Sequence, residues 1–566
     1  MNAWTKLNLL QRILRWRLTW DKRDTHFRHA VDGNSRFMGP REAVGLIEDG
    51  DFVAVSGLGG NQHATILYWA LRELFQETAS PRNLTLMPIG GQGGRGKVPG
   101  TVDELALDGL CTRFITGHLE TFKGMLRLAD EGKLELQCYP QGTLALLLDA
   151  QARGEESVVV PTGVGTMLDP EMGRGTPLCP PDAEQFATRE GDRIRYRLPL
   201  IDVALINAPA ADAQGNVYMK HTAMIAEARE IAVAARRNGG RVLVTVGKLV
   251  EKGYDEPFFG PDEVDAIVYY PKTGQTLSRS HATPWSLLTL ESDVALDEGY
   301  QQMRFINKVI GVTPRRTPIE MAMGRLAASV FAEHAPKGAL VNIGTGLPEE
   351  VCREIYEGGL IDDLTFFTES GVVGGLPGPG VFFGAAACPE SMVSSADIFK
   401  RAHRELDVTI LGILEVDGAG NVNVSKRGEG MINYVGPGGF IDFSTSAGLV
   451  LFIGSWMAHS KVAIEGSRVK ILEHGTPKFV EEIAEVTFSG AEALKAGRTV
   501  FYVTSVGVFQ LVPDGLILVR VMPGIDIERD ILALSPTAIL VPDGEVALVS
   551  ESIVTGEGFA LELAAR

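Results

Sequence analysis

Cysteine is scarce and scattered: five in 566 residues, at Cys111, Cys138, Cys179, Cys352 and Cys388, with no CxxC pair. That spacing supports neither a disulfide framework nor a zinc site, and a reducing cytoplasm is the expected compartment. No run of about 18 apolar residues occurs, so no transmembrane helix is expected. Basic residues are outnumbered, 53 Lys and Arg against 71 Asp and Glu, for a formal net charge of −18 and a pI near 5.1. Nucleic acid is therefore not an expected partner, because its recognition relies on clustered positive charge. None of the ten histidines lies in an HExxH motif, no serine sits in GxSxG, and no EF-hand loop occurs. Zinc hydrolysis and α/β-hydrolase chemistry thus have no support.

A composition of 45% hydrophobic and 22% charged residues is that of a soluble globular protein, and the length implies more than one domain. The opening "MNAWTKLNLLQRILRWRLTWDKRD" is basic and amphipathic, without the continuous apolar core or small-residue cleavage site of a signal peptide. It reads as a docking helix for a partner subunit; membrane contact is not expected. The run "GGQGGRGKV" contains GxGxxG from Gly91 to Gly96 and nearly a P-loop. Lys97 is followed by Val98-Pro99-Gly100, though, where either motif needs a helix and the P-loop needs Ser or Thr. A glycine loop lining a pocket is the expectation.

The chain carries a weak internal repeat. "EDGDFVAVSGLGGN", "ATILYWALRELFQ" and "NLTLMPIGGQGG" give strand, helix and strand, each strand running into glycines. "PKGALVNIGTGLP", "EEVCREIYEGG" and "DDLTFFTESGVVGG" give the same order again. Further on, "LIDVALINAPAADAQGNVYM" matches "ELDVTILGILEVDGAGNVNV", with acidic turns at Asp212 and Asp417 that Asx bonding would stabilise. Strands alternating with helices imply βαβ units. The expected fold class is therefore α/β, two related open domains with mainly parallel sheets and helices. In such sheets ligands bind beyond the carboxyl ends of the strands.

Glu369 stands at such an end, in "TFFTESGVVGG". If "ALVNI" and "LTFFT" are parallel neighbours, Glu369 lies beside the "GTGLP" loop, which opens a helix whose free N–H groups favour an anion. Ser370 and Gly371 leave a bare floor for a ligand to approach. Ser370 has no surrounding motif that marks a nucleophile, and His118 in "ITGHLETF" reads either as a base or as a packed residue.

These residues carry a resemblance. "FTESGVVGGLPGPG" resembles the glutamate motif of the family I CoA-transferases, and "VGPGGFIDFS" resembles their Gly-Gly-Phe loop. "CYPQGTLALLLDAQARG", "GVGTMLDPE", "VNIGTGLPEEV" and "VMPGIDIERDIL" resemble segments of the fused single-chain members that act on acetate or propionate. The chain departs from that pattern at "MGRGTPL", at His221 after Lys220, and at "YVTSVGVFQL", departures that bear on substrate choice.

The resemblance implies a cytoplasmic CoA-transferase that moves CoA from an acyl-CoA to a small carboxylate. Glu369 would be the catalytic nucleophile of a ping-pong cycle through a glutamyl-CoA thioester. Gly438, Gly439 and Phe440 would bind CoA and form the oxyanion hole. Gly59, Gly60, Gln92, Asn342, Gly344, Gly346, Ser370 and Gly371 would line the substrate pocket. No metal or permanently bound cofactor is implied, and a homo-oligomer, dimer or tetramer, is. The domains would be a basic N-terminal extension over 1–37, an N-terminal half over 38–310, and a C-terminal half with the catalytic Glu over 311–566. A hydrolase of the same fold, a transferase to an acyl-carrier protein, and an inactive CoA-binding relative are the alternatives.

Overall fold

The computed structural model describes residues 1–94, 98–179, 182–275, 285–311 and 313–564. Part of the "GGQGGRGKV" loop, including Gly96 and Lys97, thus lies outside the described residues. Two sheets organise the rest. The first is built on β1 (Phe52–Val55), β2 (Leu84–Pro88), β3 (Val203–Asp212), β4 (Arg241–Val250) and β5 (Ala266–Tyr269). Its strand order is β5-β4-β3-β1-β2, every neighbouring pair parallel. The second is built on β6 (Leu340–Ile343), β7 (Thr365–Phe367), β8 (Val408–Gly412), β9 (Leu449–Ile453) and β10 (Thr499–Val503). Its order is β10-β9-β8-β6-β7, again all parallel. The same five-strand plan therefore occurs twice, as the internal repeat implies.

The local sequence explains these elements. All four residues of β1 and all five of β9 are buried, the uninterrupted apolar run of a strand covered on both faces. Helix Thr65–Thr78 joins β1 to β2, and helix Pro348–Glu357 joins β6 to β7, with Pro348 in the first turn where a missing N–H is harmless. The two acidic turns match as well. Asp212 accepts from the backbone N–H and side-chain amide of Asn216 at 3.0 and 2.8 Å, and Asp417 does the same with Asn421 at 3.0 and 2.9 Å.

The halves diverge at one edge. Beyond β2 the first sheet adds the parallel strand Cys111–Thr116, whereas beyond β7 the second turns straight back into the antiparallel Val372–Val373. A crossover is thus replaced by a tight hairpin, and its turn holds Glu369.

Each of the two apolar cores draws on both halves: Val53 packs in one with Phe443, and Leu58 in the other with Phe382. Backbone bonds stitch the seam, with Leu119 N–H donating to Val435 O at 2.8 Å and Gly438 N–H to Gly117 O at 2.7 Å. Helix Gln141–Arg153 begins at Pro140, which offers no capping side chain. Asp442 of the other half supplies the cap, accepting from Gly142 N–H at 2.8 Å and the Thr143 hydroxyl at 3.4 Å. The N-terminal helix Ala3–Thr19 is capped by Asn2 and turns Leu9 and Trp16 inward. No helix among the described residues is long and apolar enough to cross a membrane.

Removing the cap between the halves should be measurable. Asp442→Ala is expected to lower unfolding stability by about 1–2 kcal/mol in calorimetry, and Asp442→Asn, which keeps an acceptor, by less.

Candidate active site

The hairpin turn is closed by Thr368 N–H to Val372 O at 2.9 Å and Gly371 N–H to Thr368 O at 3.0 Å. Gly371 has φ +89°, and a Cβ there would lie 2.0 Å from the carbonyl oxygen of Val393, so no other residue fits. The Ser370 and Thr368 hydroxyls both donate to Gly384 O, the latter at 3.1 Å. Ser370 O accepts from Ala226 N–H of the first half at 3.2 Å. Ser370 is fully buried and its groups are committed to holding the turn.

What that turn presents is Glu369, only 7% exposed. The Gly-Gly-Phe loop lies directly over it. A Cβ on Gly439 would be 3.3 Å from Glu369 Cγ and 2.7 Å from Phe443 Cε2, so the carboxylate approaches bare backbone. Gly438, at φ +56°, is fixed by its N–H on Gly117 O and by Gln141 N–H on its own carbonyl at 2.9 Å. Phe440 is buried and stacks on Phe452 at 5.8 Å. The fold thus brings Gly439 against Glu369.

Burial raises the Glu369 carboxyl to about 7, with the nearby Asp442 charge adding to the effect. Asp442 is itself raised, chiefly by burial, against the opposing pull of His403 and of the helix N–H groups it caps. A third carboxyl, Glu227, is raised by burial to about 8. Its Oε1 accepts from Gly57 N–H at 3.0 Å and its Oε2 from Ser395 Oγ at 3.4 Å. Glu227 follows Ala226, the residue bonded to Ser370, so one short segment holds both the Gly57–Gly60 loop and the Glu369 turn.

The remaining expected pocket residues divide. Gly59, at φ +60°, packs so closely on the second half that a Cβ would sit 2.4 Å from Phe383 O; Gly60 beside it is half-buried. Asn342 is buried on β6, paired in register with Phe367, and its Nδ2 has no hydrogen-bond partner among the described residues. Gly344 donates to Ile410 O at 2.8 Å at the end of β6. Gln92 sits elsewhere in role: it is fully buried, its amide donates to Gly57 O at 2.7 Å, and its carbonyl accepts from Tyr68. Those bonds hold the 55–57 strand end rather than face open space. Gly346 is exposed, its carbonyl taken by Arg316. The end of helix Pro348–Glu357 was expected to attract an anion, but Glu349 already accepts from Gly346 and Gly380 N–H there, each at 3.3 Å. His118 lies under the loop, against the positions of Gly91 and Gly436. Sequence reasoning missed Asp442 and Glu227, although Asp442 stands two residues past the Gly-Gly-Phe signature.

A buried carboxylate facing backbone groups at the seam of a duplicated α/β fold defines a class, and comparison with known proteins agrees with it. The chain belongs to the coenzyme A transferase family, whose model matches residues 37–257. It is 30% identical over 549 residues to the acetate CoA-transferase YdiF of Escherichia coli (strain K12), covering 95% of this chain and 98% of that one. It is 30% identical over 509 residues to the caffeate CoA-transferase of Acetobacterium woodii, covering 88% and 93%. A crystal structure of the acyl-CoA transferase YdiF from Escherichia coli O157:H7, as a thioester complex with CoA, matches with a TM-score of 0.80 at 29% identity, over 93% of this chain and 97% of that one.

The raised pKa of Glu369 has a thermodynamic consequence. The folded chain holds a proton on Glu369 up to about pH 7 that the unfolded chain releases near 4.5, so stability falls as pH rises between those values. Glu369→Gln is expected to raise the thermal midpoint at pH 8 and leave it nearly unchanged at pH 4, as scanning calorimetry would show.

Proposed function

We propose that this enzyme moves CoA from an acyl-CoA to a free carboxylate through a covalent glutamyl-CoA thioester on Glu369. The observation that carries this reading is the confinement of the Glu369 carboxyl, 7% exposed, against the backbone of Gly439. The ionised carboxylate attacks the thioester carbonyl; the C–S bond breaks, giving an acyl-glutamyl anhydride and CoA thiolate. The thiolate attacks the glutamyl carbonyl, releasing the first carboxylate and leaving glutamyl-CoA. An acceptor carboxylate then repeats both steps in reverse.

A carboxylate is a weak nucleophile in water, and desolvation with donors aimed at the developing oxyanion is what the site must supply. In this reading the Gly439 N–H supplies such a donor, Gly438, whose own N–H is held by Gly117 O, fixes the loop at the CoA end, and Phe440 closes it. The Asn342 amide, on the strand paired with the one that leads into the Glu369 turn and without a partner among the described residues, would be a further donor. Gly60 and Gly344 border the space for the acyl chain and acceptor, while Gly59 and Gly371, packed against Phe383 O and Val393 O, fix the loops around it. Gln92, Ser370 and Gly346 contribute by fixing the loops. Binding of the remote part of CoA orients the reacting groups. The relative captured as a thioester with CoA supports the covalent step.

The cycle is tested by incubating the protein with a panel of acyl-CoAs and mapping the modified peptide by mass spectrometry, with borohydride reduction as a check. CoA should appear on the Glu369 peptide and vanish in Glu369→Ala; an unlabelled peptide, with transfer surviving in the variant, would sink the reading. Gly439→Ala adds a methyl 3.3 Å from Glu369 Cγ and displaces the carboxylate. It should slow thioester formation by about 10–100-fold while CoA affinity changes little, as single-turnover kinetics would reveal.

A further inference from the structure

Glu227 is a buried carboxyl, 1% exposed, with no part in the transfer steps. It is the N-cap of helix Ala228–Arg237, yet its side chain makes no capping bond to that helix. Both oxygens reach across the fold instead, Oε1 to Gly57 N–H at 3.0 Å and Oε2 to Ser395 Oγ at 3.4 Å. The Gly57 peptide is thereby held from both sides, because Gln92 donates to its carbonyl at 2.7 Å.

The preceding residue makes the other half of a clasp. Ala226 N–H donates to Ser370 O at 3.2 Å, and Ala226 O accepts from Ser395 N–H at 2.9 Å. Between those bonds Ala226 sits at φ +53°, a costly conformation for a residue with a Cβ, which persists only where the surroundings hold it. Just before Ser395 in the chain, Val393 N–H donates to Gly371 O at 2.9 Å. Residues 226 and 227 therefore join the Gly57 loop, the Glu369 turn and the start of helix Ser395–Glu405.

The surroundings of Glu227 suit the neutral acid. No ion pair reaches it among the described residues. The charged groups near it are Glu230 on its own helix and, acting on Glu230, Asp397 and Lys400 of helix Ser395–Glu405. The Gly57–Gly60 loop brings no charge, and the turn brings Glu369. Burial raises the Glu227 carboxyl to about 8, so it keeps its proton at neutral pH. Oε1 then still accepts from Gly57 N–H, the Oε2 proton is donated to Ser395 Oγ, and both oxygens are satisfied. Ionised, Glu227 would be an uncompensated buried charge beside Glu230.

We propose that Glu227, as the neutral acid, is a positioning residue for the transfer reaction, locking the Gly57 loop of the first half to the turn that presents Glu369. The proposal rests on the Glu369 reading and gives the two carboxyls opposite requirements. Glu369 reacts ionised, whereas Glu227 holds the clasp protonated. The reactive combination prevails between about pH 7 and 8, and thioester formation should follow a bell with those two limbs.

The test follows single-turnover thioester formation across pH with acetyl-CoA, propionyl-CoA and butyryl-CoA as separate probes. Beside it, hydrogen–deuterium exchange of the peptides holding Gly57 and Ala226 is measured without substrate. Glu227→Ala should speed exchange at both amides and slow thioester formation by about 10–100-fold, with CoA affinity little changed. Glu227→Gln copies the neutral acid, an acceptor for Gly57 and a donor for Ser395. It should restore the protection, recover most of the rate and abolish the alkaline limb while keeping the acidic one; a merely structural role would lower the rate at every pH alike. An alkaline limb unchanged in Glu227→Gln overturns the proposal, as does unchanged exchange in Glu227→Ala. If Glu227→Ala does not fold, the pH profile of Glu227→Gln decides alone. Wild-type protein that forms no thioester at any pH fails the Glu369 reading and takes this role with it; the exchange arm, which needs no substrate, keeps the two failures apart.

Discussion

A carboxylate out of water is unfavourable by several kcal/mol unless other groups replace its solvent, and the architecture around Glu369 is organised by that constraint. The turn that bears it is fixed from three sides: by Gly384 O, by Val393 O against Gly371, and by Ala226 N–H from the opposite half. What faces the carboxyl is backbone, because Gly439 offers no side chain. The group is therefore left partly protonated near neutral pH, and in the proposed cycle it reacts when ionised. Asp442 tightens the arrangement twice, capping the first-half helix and adding its charge to the field at Glu369.

Duplication makes this geometry possible. Two copies of one five-strand plan meet so that loops from the carboxyl ends of both sheets converge, and each apolar core is shared. Only the second copy replaces the crossover after its second strand with a hairpin, and that replacement puts a side chain where the first copy runs on into a glycine loop. The first half contributes support instead: Gly59 against Phe383, Gly117 beneath Gly438, and Glu227 bridging Gly57 and Ser395.

Much of this was legible in the sequence where local chemistry decides the outcome. "FVAV" reads as a strand and is one, buried along its whole length; the "GTGLP" loop reads as opening a helix, which begins at Pro348; the two acidic turns carry the repeat. The partnership of Glu369 with the Gly-Gly-Phe loop came from family resemblance, since nothing in spacing places residue 439 over residue 369. What stayed hidden was set by tertiary contact. Gln92 is polar and beside glycines, but which way it faces depends on Tyr68 and Gly57. The end of helix Pro348–Glu357 looked open until its own Glu349 was seen to fill it. Asp442 could not be read as a cap, because the helix it caps lies some three hundred residues away in the chain.

The central claim is that Glu369 exchanges covalent bonds with both carboxylates, and oxygen isotope tracing tests it most directly. With an acceptor carboxylate carrying ¹⁸O in both positions, attack on glutamyl-CoA builds the anhydride through a labelled oxygen, and its breakdown leaves that oxygen on the enzyme. After one turnover, mass spectrometry of the Glu369 peptide should show one ¹⁸O in its side-chain carboxylate. A peptide that stays unlabelled while labelled acyl-CoA accumulates would mean direct transfer between substrates, and would contradict the account.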